Sequence, residues 1–177
     1  VVLIQTVIFS SFTGTVGLQS TGEANLDVNN KALIVTAHPD DEAMFFTPTI
    51  TGLIENGWEV DLLCMTKGAA GNSVNRTNEL ILAAKYLGIK GVRVAEFGDG
   101  YSTKWDVESA SKLIVSHSTS KDFKMIITFD GNGATFHPNH IAVNVAFRRA
   151  ANQIKKSKLF ELDSMSLLTR YSGPISA

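Results

Sequence analysis

The stretch that decides the fold is Leu33-Ile34-Val35-Thr36-Ala37, followed directly by His38-Pro39-Asp40-Asp41-Glu42-Ala43. The first part is apolar or β-branched, so it predicts a buried strand, which begins at Ala32. An imidazole and three carboxyl groups follow at once. Parallel sheets bind ligands beyond the carboxyl ends of their strands. A buried strand that ends in this much titratable chemistry therefore indicates a functional site.

Strand and helix signals alternate along the rest of the chain. After the acidic residues we predict an irregular turn over 41–46 and a helix from near Pro48 to about Asn56, because proline is tolerated in the first turn of a helix. The other predicted strands are 59–65, 92–95, 125–129 and 162–171, and the other predicted helices are 76–87, 105–116 and 140–154. This alternation is typical of βαβ units. The predicted fold class is α/β, a Rossmann-like three-layer sandwich with a mostly parallel sheet.

Four loops should meet at the edge where the parallel strands end, namely 38–42, 66–76, 97–104 and 130–140. His38 and Asp41 are three residues apart, so a tight turn can aim both at one point. His137 and His140 have the same spacing at the start of a predicted helix. Catalytic zinc sites use three ligands of these types and leave a fourth position open. The pattern therefore predicts a metal site shared by two of the loops.

Simpler interpretations exist for single residues of this pattern. His137 and His140 could belong to a helix-capping turn, and Asp41 could be an acid favoured by the dipole at a helix N-terminus. Neither interpretation explains three acids directly after a histidine. Glu42 is expected near the site, as a supporting residue as readily as a ligand. His117, in the third predicted helix, is expected to be an ordinary surface or helix-end histidine.

Composition excludes several classes of protein. The 177 residues are 44% hydrophobic and 19% charged, with 16 basic and 17 acidic side chains and a net charge of −1. This is ordinary globular composition and argues against a nucleic-acid-binding protein. The single cysteine, Cys64, excludes a disulfide framework and a cysteine-rich zinc site within the chain, and is expected to be a small core residue.

The N-terminal segment, residues 1–22, carries no charge and is rich in large apolar side chains. It is interpreted as an apolar leader, which could be part of a membrane anchor, the apolar region of a cleaved signal peptide or a disordered leader. Residues 23–30 are expected to form a linker. Residues 31–177 are then the catalytic domain, which we expect to be incomplete at its C-terminus.

The motif Ala37-His38-Pro39-Asp40-Asp41-Glu42, with His-x-x-His downstream, resembles the PIG-L/LmbE-like zinc-dependent de-N-acetylases. The resemblance covers residues 31–171 and is greatest to the eukaryotic branch, which acts on N-acetylglucosaminyl-phosphatidylinositol. The features typical of that branch are Ala43-Met44-Phe45-Phe46-Thr47-Pro48, Leu62-Leu63-Cys64, Arg76-x-x-Glu79-Leu80, Leu87-Gly88-Ile89, Trp105-Asp106, Phe129-Asp130-x-x-Gly133 and Asn139.

The resemblance implies a role for each residue of the motifs. Zinc, or another divalent metal, would be bound by His38, Asp41 and His140. Asp40 would be the general base, and His137 would stabilise the oxyanion and protonate the leaving amine. The residues expected to bind substrate are Arg76, Glu42, Asp99 and Asp130. A surface salt bridge to Glu79 is the simpler alternative for Arg76.

The chain departs from the family pattern at two loops and at its end. It has Gly68-Ala69 where Gly-Asn is common after the second strand, and Phe136 where glycine usually precedes the first histidine of the pair. It also stops soon after Tyr171, whereas eukaryotic members continue. We expect Phe136 to alter the shape of the oxyanion side without changing the ligands.

The predicted function is hydrolysis of the N-acetyl group of N-acetylglucosaminyl-phosphatidylinositol, an early step of glycosylphosphatidylinositol (GPI) anchor synthesis. One alternative is a soluble LmbE-like deacetylase of another N-acetylglucosamine conjugate, and another is a non-catalytic metal- or sugar-binding module. A dinucleotide-binding domain is rejected, because it needs a Gly-rich turn where this chain has His-Pro-Asp-Asp.

The expected partner is a glycolipid at the membrane surface, with membrane association through the N-terminal segment. The family resemblance implies the endoplasmic reticulum membrane, with the catalytic domain on the cytosolic side. A glycan on Asn75, in the sequon Asn75-Arg76-Thr77, would obstruct the predicted substrate arginine, so we expect the domain either to face the cytosol or to leave Asn75 unmodified.

Overall fold

The computed structural model describes residues 30–68 and 73–163, together with the backbone of two short strands, β1 (Ser10–Ser11) and β2 (Gly14–Thr15). Five parallel strands form the centre of the sheet: β3 (Lys31–Thr36), β4 (Glu59–Cys64), β5 (Gly91–Val94), β6 (Met125–Thr128) and β7 (Lys158–Glu161). The two short strands extend it in antiparallel fashion beyond β7. The predicted α/β class with a mostly parallel sheet is confirmed.

The helical segments are a π-helical turn (Glu42–Phe46), α1 (Thr47–Glu55), α2 (Ser73–Leu87), α3 (Val107–Ser120), a short irregular turn α4 (Gly133–Phe136) and α5 (Pro138–Ala151). Helix α1 packs against α2, and α3 packs against α5. The two pairs belong to crossovers on the two sides of the central strand, which gives the three layers expected of a doubly wound sheet.

Strand order places the predicted loops where ligands bind. The sheet runs β2-β1-β7-β6-β3-β4-β5, so β3 lies between β4 on one side and β6 on the other. After β3, the strands β4 and β5 are added in turn on one side of it. The chain then crosses back, and β6 and β7 are added in turn on the other side of β3. The crevice beyond the carboxyl ends of β3 and β6 is therefore the topological switch point. The acidic turn follows β3, and the histidine pair follows β6.

Most element boundaries lie within a few residues of the sequence prediction. Helix α3 extends past the predicted end at 116 to Ser120, because the hydroxyls of Ser118, Thr119 and Ser120 donate to backbone carbonyls one turn back. The last described strand is β7, which lies before the predicted segment 162–171. Residues 164–171 of that prediction lie outside the described part of the chain, as does most of the predicted leader and linker.

The core lies on both faces of β3, where every side chain from Ala32 to Ala37 is fully buried. Phe46 and Phe129 are also fully buried and pack edge-to-face at 5.1 Å, directly beneath the loops that carry the site. Burial of each such side chain contributes about 1.5–3 kcal/mol, so these two rings stabilise the base of the loops. Among the described residues, no helix has both the length and the apolar character needed to span a bilayer.

Candidate active site and metal centre

The acidic turn after β3 is built around the carboxylate of Asp41. One of its oxygens accepts hydrogen bonds from the backbone N–H groups of Ala37 (3.0 Å) and His38 (2.7 Å), which closes the turn on itself. The other oxygen lies 3.2 Å from Nε2 of His140. Burial by itself would raise the pKa of Asp41, but the hydrogen bonds from His140 and His38 outweigh it and lower that pKa to about 2. Asp41 is therefore a buried, ionised carboxylate.

The histidine pair is held by the N-terminus of α5. Pro138 occupies the first turn, and Nδ1 of His137 accepts the backbone N–H of Asn139 at 3.2 Å, so this ring caps the helix. Nδ1 of His140 lies 2.9 Å from the carbonyl oxygen of Gly133, to which it must donate. That bond keeps a proton on Nδ1, so a metal bound here would take the place of the proton that Nε2 shares with Asp41.

The ring of His140 is fixed by aromatic neighbours. It stacks on Phe129 with centroids 4.1 Å apart and planes 4° from parallel, and Phe45 meets it edge-on at 5.5 Å. Gly133 makes the approach possible from the other side. It has φ +60°, and a Cβ at this position would lie 2.7 Å from Cβ of His140. Only glycine fits this position, which agrees with its place in the sequence motif.

Three side chains from the two loops bring their metal-binding atoms close together. Nδ1 of His38 lies 3.2 Å from Nε2 of His140, and Nε2 of His140 lies 3.2 Å from Oδ1 of Asp41. The other oxygen of that carboxylate, Oδ2, lies 3.7 Å from Nδ1 of His38. Ligands that bind zinc tetrahedrally at 2.0–2.1 Å stand about 3.3 Å apart. The spacing, the chemistry and the burial of this set therefore fit a divalent metal.

A second combination overlaps this one. Nitrogen atoms of His38, His137 and His140 all lie within 4.8 Å of one another and could also bind a metal. We favour the set with Asp41, because its donors are closer together and its carboxylate offsets the charge of a cation. Nδ1 of His137 is in addition engaged as the helix cap. His137 then stands beside the metal position, with its ring 4.6 Å from that of His38.

Asp40 points away from these ligands and towards Arg76. Its side chain is 54% exposed and accepts a hydrogen bond of 2.9 Å from Nη2 of Arg76, which also donates to the carbonyl oxygen of Pro39 at 2.6 Å. Burial and the nearby charge of Asp41 raise the pKa of Asp40, against the opposing effect of Arg76. The turn places Asp40 at φ +110°, a conformation that aspartate tolerates better than most residues.

The side chain of Arg76 points towards Asp40 and Asp99 in the site and not towards Glu79. Among the ion pairs of the described residues, its partners are Asp40 and, at 3.8 Å, Asp99. A Cβ at Gly68 would lie 2.6 Å from Nη1 of Arg76, so the guanidinium rests against the backbone of the loop after β4. The surface salt bridge considered from sequence is not the arrangement found.

The other three predicted substrate-binding acids all make contacts within the protein. Glu42 is buried, and its carboxylate accepts the backbone N–H of Asp40 at 3.1 Å. Asp130 accepts from the backbone of residues 132 and 134 and shapes the turn before the histidine pair. Asp99 lies 3.0 Å from Nε2 of His38. Direct contact of these acids with substrate stays a prediction.

Asn139 is a site residue that sequence reasoning treated only as a branch marker. It is fully buried, and its Oδ1 accepts the backbone N–H of Gly100 at 3.0 Å and lies 3.1 Å from Nε2 of His38. Its position between the two histidines of the motif was the sequence signal that could have identified it.

His117 lies in the last turn of α3 beside Arg93, where the sequence predicted an ordinary helix-end histidine.

Comparison with known proteins identifies what the chain resembles. Residues 33–151 match the family model described as "PIG-L: GlcNAc-PI de-N-acetylase". The chain is 37% identical over 154 residues to N-acetylglucosaminyl-phosphatidylinositol de-N-acetylase of Bos taurus, covering 80% of this chain and 60% of the relative. It is 34% identical over 164 residues to a probable enzyme of that name from Schizosaccharomyces pombe, covering 89% of this chain and 66% of the relative. The chain thus spans about two thirds or less of the length of these relatives.

Solved structures agree on the fold. A deacetylase of the teicoplanin biosynthesis pathway superposes with a TM-score of 0.66 at 18% identity, covering 79% of this chain and 69% of that protein. At this identity the likeness supports the architecture alone.

Proposed function

Since the chain belongs to the PIG-L family of GlcNAc-PI de-N-acetylases, we propose that it hydrolyses the N-acetyl group of N-acetylglucosaminyl-phosphatidylinositol to give the free amine and acetate. The observation that carries this proposal is the convergence of His38, Asp41 and His140, with donor atoms 3.2–3.7 Å apart. These donors come from loops on opposite sides of the switch point, where α/β sheets place their active sites.

Zinc is the metal that we propose for this centre, held by His38, Asp41 and His140. The donor spacing supports a tetrahedral ion, and nitrogen and oxygen ligands suit zinc. When bound, zinc polarises the amide carbonyl and lowers the pKa of a coordinated water towards about 7. The ligand set leaves room for such a water, because it comprises three side chains.

Asp40 is the proposed general base. The water oxygen attacks the carbonyl carbon as its proton passes to the Asp40 carboxylate, and the C–N bond then breaks as the amine nitrogen takes that proton from Asp40. The 54% exposure of Asp40 supports this role, since a base must reach the reacting water. Arg76 holds the carboxylate in place and, with its remaining donors, is proposed to bind a phosphate or sugar oxygen.

His137 is the proposed donor to the developing oxyanion. Because its Nδ1 accepts a backbone N–H, the neutral ring carries its proton on Nε2 and can donate from there. Burial, together with the nearby His38 and His140, lowers the pKa of His137 and favours that neutral form. A neutral ring in this position can stabilise the negative charge of the oxyanion through its Nε2–H. It does not compete with Asp40 for the proton of the water, because its Nδ1 lone pair is already engaged by the backbone N–H of Asn139.

A lipid-linked substrate is supported by exposed apolar side chains beside the site. Met44 is 66% exposed, Tyr101 78% and Phe136 63%, and the ring of Tyr101 lies 4.6 Å from that of His137. Large exposed apolar groups around a site favour contact with lipid. We propose membrane association, with the N-terminal segment as a second attachment, at the cytosolic face of the endoplasmic reticulum.

The test is an assay of acetate release by the zinc-loaded protein. We expect turnover of N-acetylglucosaminyl-phosphatidylinositol in detergent or vesicles, and a much lower rate on the same headgroup without its lipid. His38→Ala should abolish both zinc binding and activity. Asp122→Asn, in an exposed pair with Lys124, is the matched control and should behave as the parent. Equal activity of His38→Ala and the parent contradicts the mechanism, and equal rates on both substrates favour the soluble alternative.

A further inference from the structure

The two nitrogens of His38 face different groups. Nδ1 faces the metal position, whereas Nε2 lies 3.0 Å from a carboxylate oxygen of Asp99 and 3.1 Å from Oδ1 of Asn139. His38 itself is buried. Asn139 lies beside His140 in the first turn of α5, whereas Asp99 comes from a loop that supplies none of the three proposed metal ligands. The loop after β5, which carries Asp99, thereby reaches the metal centre.

The backbone of Gly100 determines which way the amide of Asn139 points. The N–H of Gly100 donates to this side chain at 3.0 Å, and an N–H can donate only to the oxygen. Oδ1 therefore faces His38. The other neighbour of Nε2 is a carboxylate of Asp99, which also accepts. With two acceptors at Nε2, the ring proton resides there and the lone pair of Nδ1 is free for a metal.

The stability of the fold alone does not explain why position 139 is an asparagine. Its Nδ2 is buried and has no hydrogen-bond partner among the residues that the structure describes. Leaving a buried donor unsatisfied destabilises the folded state. Retaining such a group, with its oxygen aimed at a metal-binding imidazole, is the pattern expected when function outweighs stability.

We propose that Asp99 and Asn139 are positioning residues that together fix His38 as an Nδ1 metal ligand. The proposal rests on the proposed function only in requiring that a metal is bound at His38, Asp41 and His140. It assigns to Asp99 a role other than direct substrate contact. Hydrogen-bond acceptors behind a ligating histidine fix its ring orientation and raise its basicity, and their loss lowers metal affinity about 10–100-fold.

The experiment measures zinc affinity of the full chain by competition with a chromophoric chelator, in the absence of substrate. We expect Asp99→Ala and Asn139→Val to weaken zinc binding about 10–100-fold. Asp99→Asn and Asn139→Asp keep an acceptor oxygen and should lose markedly less. Asp122→Ala removes an exposed carboxylate far from the site and should bind zinc as the parent does. Circular dichroism of the metal-free variants checks that each is folded.

Cobalt substitution supplies a second measurement. The visible absorption of bound Co²⁺ depends on its coordination, so Asp99→Ala and Asn139→Val should change the band, whereas Asp122→Ala should not. Zinc affinity and cobalt spectra of Asp99→Ala and Asn139→Val equal to those of the parent would overturn the proposal. A parent that binds no zinc would also overturn it. Failure to turn over the lipid substrate would not, because neither measurement involves catalysis.

Discussion

Asp40 and Asp41 are neighbours in the chain, yet the turn gives them opposite surroundings. Asp41 is 2% exposed and faces two imidazoles, whereas the Asp40 side chain is 54% exposed and faces a guanidinium. Two carboxylates whose environments push their pKa values apart commonly divide the work of a site. The pKa of Asp41 is lowered to about 2 and that of Asp40 is raised, which suits a ligand and a base respectively.

Replacement of the base should separate catalysis from metal binding. We expect Asp40→Asn to lower kcat about 10²–10⁴-fold, the usual contribution of a general base, with zinc affinity close to that of the parent. Asparagine also tolerates the positive φ of this position. Steady-state kinetics and chelator competition measure the two effects. A fall in zinc affinity that matches the fall in kcat would show instead that Asp40 acts through the metal centre.

Cys64 should be unreactive in the folded protein. It is fully buried and donates to the carbonyl oxygen of Thr66 at 3.2 Å, and burial raises the pKa of its thiol from 9.0 to about 12. Iodoacetamide should therefore modify it only after unfolding. Because the folded pKa is the higher one, its contribution to stability is complete below pH 9 and is lost as the pH rises towards 12.

A Cys64→Ala variant provides the control for that prediction. Its unfolding free energy should fall less steeply between pH 9 and 12 than that of the parent, as measured by denaturant titration at each pH. Rapid alkylation of native parent protein at pH 8 would contradict the burial of the thiol.

At the scale of elements, the turn α4 and the start of α5 form one unit. Gly133 allows the turn to pass against His140, and Pro138 and the His137 cap begin the helix. The position of His140, a proposed metal ligand, therefore depends on a backbone conformation that lies seven residues earlier in the chain. A change in the turn should disturb the site without removing any functional group.

Gly133→Ala tests this dependence. A methyl group at φ +60° and 2.7 Å from Cβ of His140 should lower the unfolding free energy by about 1–3 kcal/mol and weaken zinc binding. Gly52→Ala, inside α1 with nothing within 4 Å of the added Cβ, is the matched control and should raise stability by about 0.5–1 kcal/mol. Thermal unfolding and chelator competition compare the two. Parent-like zinc binding by Gly133→Ala would mean that the turn can move away from the helix.

Elements were predicted best where the pattern is local and strong. The apolar run of β3, and Pro48 near the start of α1, are each decided by neighbouring residues. The π-helical turn at 42–46 was predicted only as irregular, because it arises from hydrogen bonds of the acidic turn and from Phe45 packing against His140. Helix α2 begins at Ser73, three residues before the predicted start, where no sequence signal was recognised.

At the scale of the whole molecule, Phe136 is held in an energetically unfavourable backbone conformation. It has φ +60°, which is unfavourable for an aromatic residue, and its side chain is 63% exposed beside His137. Replacement by glycine relieves the strain, but it also adds freedom to the unfolded chain. These effects oppose each other, so Phe136→Gly should change stability by no more than about 1 kcal/mol.

The same variant should weaken membrane binding. Co-sedimentation with phosphatidylcholine–phosphatidylinositol vesicles should decrease for Phe136→Gly, because an exposed aromatic group beside the site is lost. Tyr86→Ser removes a more exposed aromatic side chain (92%) from the last turn of α2, at the opposite edge of the sheet. It should bind vesicles as the parent does. Equal losses in both variants would point to general surface hydrophobicity instead of a docking edge.

The sequence by itself determined the class of fold, because that depends on local periodicity. It also predicted the two loops of the proposed site and their types of donor atom, from the motifs His38 to Glu42 and His137 to His140. Only the tertiary structure decided how the groups meet. Asp99 and Asn139 lie 61 and 101 residues from His38 in the chain, and their contacts with its Nε2 exist because β3, β5 and β6 end at one edge of the sheet. No local pattern encodes which nitrogen of an imidazole faces a metal. That choice follows from hydrogen bonds between segments that the parallel sheet brings together.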